Sequence, residues 1–598
     1  MNTRTDLITP DTAPTIPALF RERVTRDPEG TAYRYYNAID MGWHDISWRE
    51  IQQRIDLWRS ALIQEDLAPG ERVSIMLPNS PEWVCFDQAA LSLGLIVVPL
   101  YLNDRPVNIA YILEDTQSRI FLCPSLTCWK QLGTLFDRLE CLQRIITIDY
   151  CQSDIDDPRI TCISDWLPVS PMEKLPYDPK PEDTATIVYT SGTTGSPKGV
   201  MLSHENLISN AYGGNSCVDI FRDDLFLSFL PLSHMLERTA GYYLPMMAGA
   251  TIAFARSIAE LPEDLTVIQP TILVAVPRIF ERVHTGIMTK LEKESALVRK
   301  LFATAVQIGW RNFEYNQKRA KWSPALLLHS LFDSLIARNI RDKMGGKLRI
   351  IISGGAPLSA EIAKVFISLG LPIYQGYGLT ETSPIISVNR VEDNNPAGVG
   401  LPLPATELKI TPSGELLVRG PGVMQGYWEN PQATAETIDK DGWLHTGDKA
   451  ELVDDHLRIT GRIKEVIVLS NGEKVSPTDI EMAIAADPIF EQTMIIGEGR
   501  PYLILLGVLE KQRWHELAKE LQLPPTEESL QNPLVHDAIL KRTEPLLQDF
   551  PGYIFIKRVV LSLTPWSIEN GLLTPTMKIR RKNVLEHLQD EIDKAYNF

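Results

Sequence analysis

The chain has 598 residues, 44% hydrophobic and 23% charged, a composition that fits a globular protein of several domains and excludes disordered, collagen-like and membrane-embedded classes. Its 59 Lys and Arg against 76 Asp and Glu leave a net charge of −17, which excludes a general nucleic-acid binder on electrostatic grounds. The seven Cys all fall between Cys85 and Cys217 without a CxxC pair, which argues for reduced thiols and against a zinc or disulfide framework.

The N-terminus, MNTRTDLITPDTAPTIPALFRER, lacks the unbroken apolar core of a signal peptide. The greasiest run, LSLGLIVVPLYL at 91–102, is shorter than the about 20 apolar residues that a bilayer crossing needs. A cytoplasmic protein is therefore expected. Between Gly70 and Cys123 the texture alternates: RVSIML (72–77) predicts a strand, PEWVCFDQAALSLG (81–94) a helix, and LIVVPL (95–100) a strand. A helix near Pro106–Asp115 and a strand at RIFLC (119–123) follow. That order predicts a parallel α/β sheet with right-handed crossovers. Five prolines in 166–183 predict an extended connector between two subdomains. A second α/β run covers 184–390, with strand, helix and strand at LRIIIS (348–353), AEIAKVFISLG (360–370) and LPIYQG (371–376).

Inside it, residues 285–343 hold 11 Lys/Arg and 5 Asp/Glu, a local +6 in an acidic chain. Two readings stay open there: a solvated helical hairpin on the sheet, or a face that meets an anionic membrane surface or substrate phosphates. From Ala405, short alternating strands (ELKI, GELLVRG, HLRITG) predict a small β unit. The remainder predicts a compact α+β module closed by one charged amphipathic helix, KNVLEHLQDEIDKAY. The fold class is thus α/β: a large N-terminal part of two α/β subdomains plus the β unit, followed by a small α+β module of about the last 130 residues.

The strongest local signal is YTSGTTGSPKGV, Tyr189 to Val200, at the exit of the strand ATIVY. Glycines allow close backbone approach, Ser191, Thr193 and Thr194 add donors, and Lys198 adds a full charge, which together suit a polyphosphate. It is not a Walker A loop, because Gly199 follows Lys198 where Ser or Thr is required.

With YQGYGLTET (374–382), DGWLHTGD (441–448), GRIKEVIVLSNGEKVSP from Gly461 and ENGLLTPTMKIRR (569–581) in the same order, the chain resembles the adenylate-forming superfamily of acyl-CoA synthetases, luciferases and peptide-synthetase adenylation domains. The similarity runs over about residues 20–598, and within the superfamily the chain most resembles bacterial long-chain fatty-acid–CoA ligases. The resemblance implies ATP, Mg²⁺ and coenzyme A, with a long-chain fatty acid as substrate. It implies a nucleotide site built from Thr190, Ser191, Gly192, Thr193, Thr194, Gly195, Lys198, Gly355, Ala356, Gln375, Gly376, Tyr377, Gly378, Thr380, Asp448 and Arg462. Tyr377 would stack on adenine, Thr380 contact the α-phosphate, Asp448 take the ribose hydroxyls, and Glu381 with Thr194 hold Mg²⁺. Lys578 aligns with a mobile lysine that reaches the reacting carboxylate, Lys198 would hold the leaving phosphates, and His234 is either a wall between acyl and phosphate sites or a structural histidine. The resemblance implies a large N-terminal domain over 1–461 and a small mobile domain over 462–598, with Lys464 at the pivot of a hinge at 462–464.

On the acyl side, Tyr242, Tyr243, Met246, Met247, Val274 and Ile279 suggest a greasy tunnel or ordinary core, and Glu237 beside Arg238 suggests a pair. The expected reaction is adenylation of the fatty acid and transfer to coenzyme A. Delivery to an acyl-carrier protein, a different hydrophobic acid, and a nucleotide sensor without turnover stand as alternatives. Oligomeric state does not follow from the residues.

Overall fold

The computed structural model describes residues 6–149, 157–172, 177–190, 197–548, 550–551, 554–574 and 577–596. Each predicted strand and helix of the first α/β run forms: strands Arg72–Ile75, Ile96–Pro99 and Ile120–Cys123 alternate with helices Pro81–Leu91 and Pro106–Asp115. The helix starts follow from local chemistry. Ser80 accepts from the Trp83 N–H at 3.3 Å with Pro81 at the first helical position, where its missing N–H costs nothing.

One sheet has eight strands. Across it run Gly426–Tyr427, Lys198–Ser203, Thr184–Thr190, Ile96–Pro99, Arg72–Ile75, Ile120–Cys123, Arg144–Thr147 and Ile160–Cys162. The last six are parallel neighbours, whereas the two at the other edge are antiparallel. The proline-rich stretch is therefore not a connector between subdomains. It leaves the edge strand Ile160–Cys162 and returns the chain across the same sheet to Thr184–Thr190. Proline density carries no information about which strands a path joins.

The second sheet has nine strands, in the order Leu401–Pro402, Ile385–Val388, Ile373–Gly378, Ile350–Ser353, Ile272–Ala275, Leu225–Ser228, Thr251–Phe254, Thr31–Asn37 and Gly42–Ser47. The N-terminal hairpin thus closes a sheet otherwise built from residues beyond 225, which interlocks the two halves. One core cluster runs through both, from Ile8 to Leu444. The β unit is a four-stranded antiparallel sheet of Glu407–Ile410, Glu415–Arg419, Leu444–Val453 and His456–Arg462.

Beyond Ile467 the chain builds cores of its own around a sheet of Phe490–Ile496, Leu503–Leu509 and Ile556–Ser562. The closing amphipathic segment is two helices, Arg581–His587 and Gln589–Tyr596, interrupted at Leu588; Val584 and Ile592 are buried in the same core, with Leu585 and Ala595 packed against it. Among the described residues, no helix is long and apolar enough to cross a membrane.

Candidate active site

Thr190 ends one strand of a hairpin and lies opposite Lys198 at the start of the next. Ser191, Gly192, Thr193, Thr194 and Gly195 lie outside the described residues. The motif therefore joins strand to strand, unlike a Walker A loop, which feeds a helix. Lys198 is exposed, with its Nζ 4.9 Å from the centre of the Tyr427 ring. Tyr427 is brought there because Gly426–Tyr427 pairs with Val200–Met201, and its hydroxyl donates to Glu381 Oε1 at 3.0 Å. Burial and the Glu381 charge push the Tyr427 phenol well up, so it stays a donor. Nothing in the string GVMQGYWENP singles Tyr427 out; only the strand pairing does.

A cavity of about 1740 Å³ opens beside this cluster, lined by Thr190, Lys198, Gly355, Ala356, Gln375 through Gly378, Thr380, Glu381, Asp448, Arg462 and Lys578. Asp448 and Arg462 face each other across neighbouring strands. Arg462 Nε donates to Asp448 Oδ1 at 3.0 Å, and the Tyr377 hydroxyl donates to Oδ2 at 2.6 Å. A carboxylate has about four lone-pair sites, so this nearly buried acid still has acceptor capacity for a ligand's hydroxyls. Burial and Asp448 push the Tyr377 phenol well above its ordinary value. Burial pulls the Arg462 guanidinium down, but Asp448, Glu465 and Tyr377 outweigh it and hold it above its ordinary value.

The cradle requires glycine at two points. Gly355 sits at φ +82°, and a Cβ on Gly378 would run into the Pro384 carbonyl. Gln375 spends its amide on the walls: Oε1 accepts from the Leu358 N–H at 3.2 Å and Nε2 donates to the Pro396 carbonyl at 2.6 Å. The turn holding Thr380 and Glu381 is fixed from helix His204–Asn215. There the Asn210 amide donates to the Thr382 and Ile385 carbonyls and accepts from the Ile385 N–H. Asn210 went unnoticed in the sequence, where its only signal is a position seven residues past the hairpin.

Lys578 comes from the C-terminal module. Its N–H donates to Thr574 Oγ1 at 3.0 Å and its carbonyl accepts from the Thr574 N–H at 2.8 Å, and both residues line the cavity. The residue is exposed and lines the cavity. Burial and the like charge of Arg462 push its ammonium down, while Asp448, Glu381 and Glu465 pull the other way. His234 is held down to about 4 by burial and by Lys578, so it is neutral at physiological pH. Its Nδ1 accepts from the Leu236 N–H at 3.1 Å, which puts the ring proton on Nε2.

The apolar arm of the cavity is lined by Gly214, Val218, Leu236, Ala240, Leu244 and Val388. Tyr242, Tyr243, Met246, Met247 and Val274 instead belong to the main core, and Ile279 packs against another core cluster; none of these lines the cavity. The helical register decides this. Leu236, Ala240 and Leu244 share a face through the π turn Glu237–Tyr243, whereas the tyrosines and methionines point away. Glu237 does not pair with Arg238. Arg238 is fully buried on Asp87, donates to Tyr243 and Thr186 at 2.8 Å each, and lies over the Trp83 ring. Glu237 is pushed up to about 8 by burial, against a lowering hydrogen bond with Ser228, and is a neutral acid near neutral pH.

Among the described residues, no cluster of three His, Cys, Asp or Glu gathers to hold a metal ion. A single carboxylate, Glu381, fits Mg²⁺, which keeps several waters and takes its other ligands from substrate phosphates.

Residues 20–428 match the family model described as AMP-binding enzyme, and 464–598 match that of the AMP-binding enzyme C-terminal domain. The chain is 30% identical over 594 residues to the long-chain-fatty-acid–CoA ligase FadD15 of Mycobacterium tuberculosis, covering 97% of each. It is 31% identical over 592 residues to the human long-chain-fatty-acid–CoA ligase 1, covering 93% of this chain and 83% of the human one. Among solved structures it superposes on the anthranilate CoA ligase AuaEII bound to anthranoyl-AMP with TM-score 0.73 and 18% identity, over 97% of this chain and 98% of the other. On ATP-bound MatB from Rhodopseudomonas palustris the TM-score is 0.70 with 21% identity, over 96% and 99%. At these identities, the structural matches speak for the fold alone.

Proposed function

Because the chain belongs to the AMP-binding enzyme family, we propose that it activates a long-chain fatty acid with ATP and passes the acyl group to coenzyme A. A fatty carboxylate titrates near about 4.3, so it is ionised at neutral pH and needs no general base. Its oxygen attacks the α-phosphorus, the bond to the bridging oxygen breaks, and pyrophosphate leaves. The obstacle is bringing an anion up to a polyanion, and fixed positive charge lowers it. In this reading Lys578 neutralises the junction of carboxylate and α-phosphate, Lys198 takes the leaving phosphates, and Arg462 with Asp448 holds the ribose. Tyr377 carries the base, and the glycine hairpin, with Thr194, wraps the phosphates. Mg²⁺ at Glu381 would offset phosphate charge when bound.

The mixed anhydride is then attacked by the thiol of coenzyme A, forming the thioester and releasing AMP. A thiol titrates near about 8.5 and must lose its proton on the way. His234 is unsuited as that base, since one ring nitrogen already accepts a hydrogen bond and the other carries the proton. Its better role is a neutral Nε2–H donor and wall at the mouth of the apolar arm. Residues 1–461 and 462–598 act as two bodies hinged at 462–464, with Lys464 as pivot, so that each half-reaction uses a different face of the smaller body.

What most supports this reading is that a lysine from the last thirty residues faces Asp448 and Glu381 in a cavity whose other arm is apolar. The test is pyrophosphate release with ATP and acids of graded chain length. Release that requires a long-chain acid, with thioester appearing only when coenzyme A is added, is expected. Release without acid, or with short acids alone, would overturn it.

A further inference from the structure

The segment set apart by charge, 285–343, also carries apolar surface that nothing covers. Helix Ala296–Asn316 turns Phe302, Ala305 and Ile308 inward, and a Cβ on Gly309 would strike the Ser368 carbonyl, so that face is committed to helix Ala360–Ser368. A merely solvated hairpin would be polar on its outer side. Here Leu297 and Leu301, one turn apart, are 67% and 41% exposed, and on the returning arm Leu327, Leu331 and Leu335, four residues apart, are 71%, 51% and 60% exposed. Trp322, at the bend between the arms, is 56% exposed. Phe302 and Ala337 share one core cluster, so the arms run antiparallel with Leu301 and Leu335 at the same end.

Exposed cations stand among these side chains: Arg299 and Lys300 beside Leu301, and Lys321 beside Trp322. Arg319 is not one of them, since it pairs with Glu314 at 3.0 Å and donates to the Asn394 carbonyl at 2.9 Å.

We infer that this face docks on an anionic phospholipid bilayer, its leucines and tryptophan entering between headgroups while the flanking cations meet lipid phosphates. Charge complementarity favours that occupant. A local +6 on a chain of −17 is a segment that an anionic surface would attract, and two copies meeting through this same face would bring like charges together. The apolar groups also alternate with cations, where a dry protein interface would gather them into a charge-poor centre. The bend lies against the cavity's surroundings as well: Gln317 donates to the Val391 carbonyl at 3.0 Å and accepts from the Asn394 N–H at 2.9 Å, just before the wall at Pro396–Val399. A docked face would hold that side of the cavity close to the bilayer, where fatty acid is concentrated.

The test is flotation of the full-length protein with phosphatidylcholine vesicles, with and without phosphatidylglycerol. Binding only to the anionic vesicles is expected. It should fall roughly tenfold or more in the set Leu327→Ser, Leu331→Ser, Leu335→Ser and in the set Arg299→Gln, Lys300→Gln, Lys321→Gln, and stay unchanged for Lys519→Gln with Lys541→Gln on the C-terminal module. Equal flotation with neutral vesicles, or no loss in either set at unchanged melting temperature, would overturn the inference. So would a concentration-dependent dimer, seen by light scattering, that the leucine set dissolves, since a second copy would then be the occupant. Flotation is scored without turnover, so its failure leaves the ligase reading standing, and failed pyrophosphate release leaves the bilayer face standing.

Discussion

Two cations on opposite sides of the cavity wall are housed in opposite ways. Arg238 has everything that a buried charge requires: a carboxylate at Asp87, hydroxyls of Tyr243 and Thr186, and the Trp83 ring. Lys578 is exposed at the cavity with Arg462 as a like-charged neighbour, and among the described residues no hydrogen bond holds its Nζ. A charge with all its partners is architecture. One whose charged form is disfavoured by its surroundings, with only Asp448, Glu381 and Glu465 near enough to offset that, is a candidate for chemistry rather than for scaffolding.

Removing the first should damage the fold and removing the second only the reaction. Arg238→Ala leaves Asp87 buried and unpaired and should cost about 3–5 kcal/mol of stability, read from denaturant unfolding. A loss below about 1 kcal/mol would erase the contrast. Glu237 offers a smaller, pH-dependent version. Its acid is raised from 4.5 to about 8 in the folded chain, so relative stability is full below 4.5 and drains away as pH rises to about 8. Glu237→Gln should therefore match the parent near pH 4.5 and exceed it progressively up to pH 8, by about 1–3 kcal/mol in melts across that window. A constant difference would mean that Glu237 is ionised in the fold.

The subtlest effect concerns Lys578 itself. With its ammonium pushed down by burial and Arg462, adenylation should fail on the alkaline side below the usual lysine range, because the protonated form is the one required. Arg462→Gln removes the like charge and should move that limb upward by up to about one pH unit, whatever it does to nucleotide affinity. An unmoved limb would assign it to another group.

The meeting of Tyr377, Asp448 and Arg462 was legible because these residues sit in short strings whose order is itself informative, and their side chains do come together in the cavity. The lining of the apolar arm was not. In a helix where nearly every residue is apolar, hydrophobicity cannot say which face lines a cavity, and the π turn at Glu237–Tyr243 shifts the faces further, so Tyr242 and Met246 look as eligible as Ala240 and Leu244. Arg238 and Asp87 lie 151 residues apart, and adjacency to Glu237 suggested the wrong partner. The five prolines of 166–183 announced an extended path without naming its ends. The charge of 285–343 was visible, whereas the exposure of its leucines required the packing of Gly309 against Ser368 to be seen.

The most direct trial of the account separates the two half-reactions in Lys578→Ala. Adenylate formation from acid and ATP should be abolished, while thioester formation from presynthesised acyl-AMP and coenzyme A persists near the parent rate. Equal loss in both would contradict it, since a lysine needed throughout cannot be the one that leaves when the smaller body turns.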